Sequence, residues 1–175
     1  MKLPVRLTTT ARRGLCRGDG MSILSDELVC EGEELRSRLI GTWELVSYKV
    51  EEKDTLRTID AMGASPRGRV IFTDSGWVAF NLEGSGREFS NTDAGRAQLM
   101  KTLVAYIGRY RIEGNCWITS VETAWTPDWV GTEQRRQVVL DGRDHADVVT
   151  PWRKMPNWMP DKLTRSIIRF RRATP

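Results

Sequence analysis

From Gly41 to its end the chain is cut into short apolar runs by tight-turn residues, and this rhythm constrains the fold more than any other feature. GTWELVSYKVE, residues 41–51, sets Trp43, Leu45 and Ser47 against Val46, Tyr48 and Val50, the alternation of an extended strand. Residues 55–60 read as a short strand. RVIFT, residues 69–73, follows Pro66 and Gly68, and Asp74-Ser75-Gly76 turns it back into WVAFNLE, residues 77–83. YIGRYRIE, residues 106–113, turns at Gly114-Asn115 into CWITSVET, residues 116–123. EQRRQVVL, residues 133–140, turns at Asp141-Gly142 into a strand near 144–150. LTRSIIRFRR, residues 163–172, is the closing strand.

Two stretches carry a helical period instead. Residues 26–40 have Ser25 as cap, Asp26 and Glu27 in the first turn, and Leu28, Leu35, Leu39 and Ile40 as an inner stripe. Residues 92–105, capped by Asn91 or Thr92, space Leu99, Met100, Leu103 and Val104 as a helix would. No alternation of strand and helix suggests a parallel sheet. The count is roughly eight or nine strands, most in hairpins, which predicts an all-β, antiparallel up-and-down sheet. Such a sheet loses its exposed edges by closing into a barrel, and about eight strands leave room inside for one small ligand.

Charge narrows the partners. Residues 1–20 hold five of the 27 basic groups and one of the 23 acidic ones. The remaining 22 and 22 cancel, so residues 21–175 are neutral and lack the basic face that nucleic acid requires. The expected organisation is a tail over residues 1–24 and one barrel domain over 25–175. The basic tail reads as a disordered segment, a transit peptide, or a product of a misplaced start ahead of Met21. Cys16, Cys30 and Cys116 are odd in number and widely spaced, so neither a disulfide framework nor a metal site is expected. No run approaches membrane-spanning length. A reducing, cytoplasmic setting follows as the expectation. His145 is the sole histidine and is expected on an exposed hairpin, which leaves no His-based zinc site and little for a Ser/His/Asp triad. GDG at 18–20 and GSG at 84–86 are turns rather than phosphate loops, so no nucleotide or other cofactor is implied.

Gly41-Thr42-Trp43, entering the first long strand after a short helix, resembles the start of a lipocalin barrel. LIGTWELVSY, GRVIFTDSGWVAFNL, YIGRYRIEGN and SVETAWTPDWVGTEQRR, in this order, resemble the lipocalin-like domain family of small bacterial and fungal proteins over roughly residues 38–172. Such proteins are often encoded beside natural-product or catabolic genes. The resemblance implies a calycin-type barrel whose Trp43 plugs the closed end under an arginine of the last strand, with Arg169 and Arg171 as candidates. It also implies a departure. Many relatives carry a histidine pair just before the residue matching Glu122, where this chain has Thr119 and Ser120.

Seven tryptophans need a core, a pocket or an interface. Trp125, Trp129, Trp152 and Trp158 fall in loops and would form an aromatic rim if those loops share one barrel end. Trp77, Tyr106, Tyr110 and Trp117 are the candidate lining residues on strands, and Tyr48 joins the tyrosines across the barrel. Glu122, if inward, would act as a general acid or base, with Tyr110 beside it; otherwise it pairs with a barrel arginine such as Arg109, Arg111, Arg135 or Arg136. Three functions remain open: a carrier of a small apolar or aromatic metabolite, a cofactor-independent cyclase or isomerase, and a dimerisation domain.

Overall fold

The computed structural model describes residues 26–155 and 157–174, with side chains from residue 32 onward. The element order is α1 (Asp26–Leu39), β1 (Gly41–Glu52), β2 (Thr58–Asp60), β3 (Arg67–Phe72), β4 (Trp77–Glu83), α2 (Asp93–Met100), β5 (Leu103–Glu113), β6 (Cys116–Ala124), a 3-10 turn (Pro127–Trp129), β7 (Glu133–Asp141), β8 (His145–Val149), β9 (Arg153–Lys154) and β10 (Leu163–Arg172). Eight strands run antiparallel in the order β1-β3-β4-β5-β6-β7-β8-β10, and β10 pairs back onto β1. The sheet is therefore a closed barrel, with β2 and β9 as short additions. Expected tail residues 1–24, Cys16 and the Ser25 cap lie outside the described residues, as do the side chains of Asp26, Glu27, Leu28 and Cys30.

Inward and outward residues alternate. Val78, Phe80 and Leu82 of β4 point in, as do Tyr106 and Tyr110 of β5, Trp117 and Val121 of β6, and Ile168 and Phe170 of β10. The strands break that alternation twice. β1 bulges between Leu45 and Ser47, which is why both Leu45 and Tyr48 reach the interior. β5 and β6 shift register at Ile107/Gly108, where β6 carries one residue too many. Gly108 is required at that shift, because a Cβ there would lie 2.0 Å from the Ser120 carbonyl oxygen.

One helical expectation runs too long. Thr92 caps α2 by accepting from the Gly95 amide at 3.1 Å, but the helix stops at Met100. Leu103 and Val104, spaced for the helix, instead pair with Glu83 and Leu82 of β4. Ladder hydrogen bonds and burial of Val104 outweigh the local period. No residue of α2 is buried.

Cys116 corrects another expectation. It is buried and disulfide-bonded, to a cysteine whose side chain lies outside the described residues. That bond removes the cysteine argument for a reducing compartment. No helix among the described residues is long and apolar enough to cross a membrane.

Candidate functional site

The two barrel ends are built differently. At one end, α1 lies across the opening. Its last carbonyls need donors, and the barrel supplies them. The Trp43 indole N–H donates to Leu39 O at 2.8 Å. Arg172 donates to Ile40 O at 3.1 Å and to Arg38 O, while its guanidinium lies 4.2 Å from the Trp43 ring centroid. From the helix side, Arg36 reaches Asp74 O in the β3–β4 turn and Arg38 reaches Gly142 O in the β7–β8 turn. This end is sealed.

The sealing arginine is neither Arg169 nor Arg171. Thr164, Ser166, Ile168 and Phe170 face inward, so the period of two brings Arg172 to that face, directly opposite Trp43 in the register. Arg169 lies outside, paired with Asp141 and Asp147, and Arg171 lies outside against Glu44.

At the other end the loops leave a cavity of about 190 Å³. It is lined by Tyr48, Val104, Trp125, Trp129, Met155 and Trp158, with Arg153 and Lys154 from β9 and Thr126, Asp128 and Asn157 from the loops. Trp125 and Trp129 meet edge to face at 6.3 Å, Trp129 stands 5.8 Å from Tyr106, and Trp158 stands 5.3 Å from Tyr48. A larger groove on the rim, between Arg57, Glu52 and Met159–Lys162, has no aromatic wall and is the poorer container.

Below the rings the interior turns polar. Tyr48 and Ser166 share a hydrogen bond at 2.8 Å. Arg153 donates to Gln134 at 3.0 Å and sits 5.4 Å from the Trp129 ring centroid. Burial, reinforced by the neighbouring Arg136 charge, pushes Arg153 below the ordinary guanidinium range. Arg136, 2% exposed, lies among three rings, 5.0 Å from Trp117, 5.1 Å from Tyr106 and 5.4 Å from Phe80. Its Nε and Nη1 have no hydrogen-bond partner among the described residues. The Tyr106 hydroxyl, with Thr119 nearby, makes no well-formed hydrogen bond among the described residues either, and burial pushes it well above the ordinary phenol range.

The loop tryptophans divide. Trp125, Trp129 and Trp158 line the cavity, while Trp152 stacks under Arg165 on the outer wall, 4.5 Å from its guanidinium. Trp77 is also outside, 4.0 Å from Arg109, because the inward set on β4 is Val78, Phe80 and Leu82. Trp117 is fully buried beneath the cavity and donates to Thr119 at 2.7 Å. Tyr106 lies next to Trp129, but Tyr110 belongs to the sealed end, where its hydroxyl donates to Thr73 O at 3.0 Å. Glu122 is exposed. It is the extra residue of the β6 bulge, which turns both it and Thr123 outward. His145 is half-buried at the start of β8, away from the cavity. Sequence reading missed Arg136 and Arg153 as interior groups. The signal for Arg136 was the alternation Gln134-Arg136-Val138, whose last member is plainly core.

A family model described as a lipocalin-like domain matches residues 40–173. No curated protein matches the chain.

Proposed function

Since the chain belongs to the lipocalin-like domain family, we propose that it binds a small, largely apolar or aromatic metabolite in the cavity at the open end of its barrel. The observation that carries this reading is the aromatic mouth over a partly polar floor, at the one end α1 does not seal. Tryptophan and tyrosine rings enclose a planar guest at little cost in side-chain entropy. A titration tests the reading directly. A naphthalene-sized guest quenches the fluorescence of Trp125, Trp129 and Trp158 and is recovered unchanged. Absence of saturable quenching for every aromatic guest tried overturns it.

A cyclase or isomerase reading loses the residues first assigned to it, because Glu122 and Tyr110 stand apart from the cavity. Catalysis there would work by holding a conformer among the rings and stabilising charge with the interior arginines. Conversion of the guest during the same titration would favour it. A dimer that Trp158→Ala dissociates would favour the interaction reading.

A further inference from the structure

The arginines on the outer wall and those inside the barrel are treated differently. Outside, Arg69, Arg111, Arg135, Arg165, Arg169 and Arg171 each meet a carboxylate within 3.3 Å. Inside, Arg136 and Arg153 meet none among the described residues. Among the described residues Glu52 is the single buried acid, and it is held by Lys162 and Thr55 at the rim. Two guanidiniums thus share an interior in which neither has a carboxylate partner among the described residues, since the one acid on the cavity lining, exposed Asp128, forms no ion pair with either, and both keep an Nε–H without an acceptor there. Three aromatic faces attract the Arg136 cation, but a ring face satisfies no N–H in the guanidinium plane. An unpaired buried charge is costly, and an apolar side chain of similar volume would fill the space without that cost.

The two groups also stand at successive depths from the mouth. β7 runs from the mouth loop toward the sealed end, so Gln134, bonded to Arg153, is nearer the mouth and Arg136 one inward step deeper. Arg153 itself lines the cavity.

We propose that the cavity is built for a carboxylic acid, whose anionic head accepts from the Arg153 and Arg136 guanidiniums while its aromatic or apolar body lies among Trp125, Trp129 and Trp158. This rests on the small-molecule reading and names its ligand class. The planar fork of a guanidinium matches two carboxylate oxygens, and the Tyr106 hydroxyl is a further donor beside them.

Isosteric pairs test it: 2-naphthoate against 2-naphthamide, and octanoate against octanamide, titrated calorimetrically at pH 7 into wild type, Arg136→Met and Arg153→Met. In wild type each acid binds at least ~tenfold tighter than its amide, as expected for charge-assisted bonds out of water. Either variant reduces that preference to within about twofold, since the acid loses a charge-assisted contact and the amide at most a neutral hydrogen bond. Arg136→Met also melts higher than wild type, the opposite of what a purely structural arginine would show. Equal affinity for acid and amide in wild type overturns the proposal and leaves the small-molecule reading intact. A preserved acid preference in both variants, or a lower melting point for Arg136→Met with the preference unchanged, overturns it as well. Binding by neither member of either pair counts against both readings together.

Discussion

The two ends of the barrel use the same pair of side chains, a tryptophan and an arginine, for opposite ends. At the sealed end Arg172 lies on Trp43 and both donate to carbonyls at the end of α1, Trp43 to Leu39 O and Arg172 to Arg38 O and to Ile40 O just beyond it. Ring, cation and backbone satisfy one another, and nothing is left to bind. At the open end Arg153 lies on Trp129, but its Nε has no acceptor, and the deeper Arg136 lacks two. A stacked arginine is therefore structural or receptive according to whether its N–H groups find carbonyls. The helix provides those carbonyls at one end, and among the described residues no segment does at the other.

The largest expected effect breaks the sealed end. Trp43→Ala removes a fully buried ring and the Leu39 hydrogen bond, and should cost about 3–5 kcal/mol in urea unfolding. A loss comparable to that of an exposed residue would mean that Trp43 does not plug the barrel. Next comes Arg136→Met, which should gain about 1–4 kcal/mol in the same assay, the sign expected when an unpaired interior charge is replaced by packed apolar volume. Arg172→Met, by contrast, should lose about 2 kcal/mol, since it gives up a stacked cation and donors to two carbonyls. Opposite signs for the two arginines are the sharpest form of the comparison, and equal signs would erase it. Trp158→Ala should change stability by about 1 kcal/mol or less, as its ring is only partly buried. It should nevertheless weaken binding of an aromatic guest by about tenfold, roughly 1.4 kcal/mol, read by calorimetry.

The smallest effect concerns acid. Glu44 is held below the usual carboxylate value of 4.5 by hydrogen bonds from Arg171 and Arg69. Its folded value is depressed, so its contribution is complete above the unfolded value and is lost as pH falls through the folded one. NMR titration should place the Glu44 midpoint below 4.5 in the native protein, and Arg171→Gln should move it upward. Glu52 at the open end is lowered likewise, chiefly by hydrogen bonds from Thr55 and Lys162. Acid should therefore act on both ends alike, and selective loosening of one would contradict these pairings.

Much of this architecture was legible in the chain. The turns at Asp74–Gly76, Gly114–Asn115 and Asp141–Gly142 sit where the hairpins turn, with Gly76, Gly114 and Gly142 all at positive φ. GTW announced the plug. Half of the site was legible too, because Trp125, Trp129 and Trp158 stood out as large rings in loops. What misled was orientation. Trp77 and the Arg169/Arg171 pair were assigned to a face they do not occupy, and Glu122, whose face was left open, points outward. In a strand a single residue decides the face, and the bulges at Leu45/Ser47 and Ile107/Gly108 shift the count without any local mark in the composition.

The sequence by itself determined the eight long strands of the barrel and their antiparallel hairpins, because turn chemistry and period-two patterning are local, while the plug was legible through the family resemblance of Gly41-Thr42-Trp43. Only the tertiary structure decided which cations face inward and which of them find a partner. An arginine in a strand reads the same on either face. Its role depends on the strands that close around it and on whether a helix end happens to lie within reach.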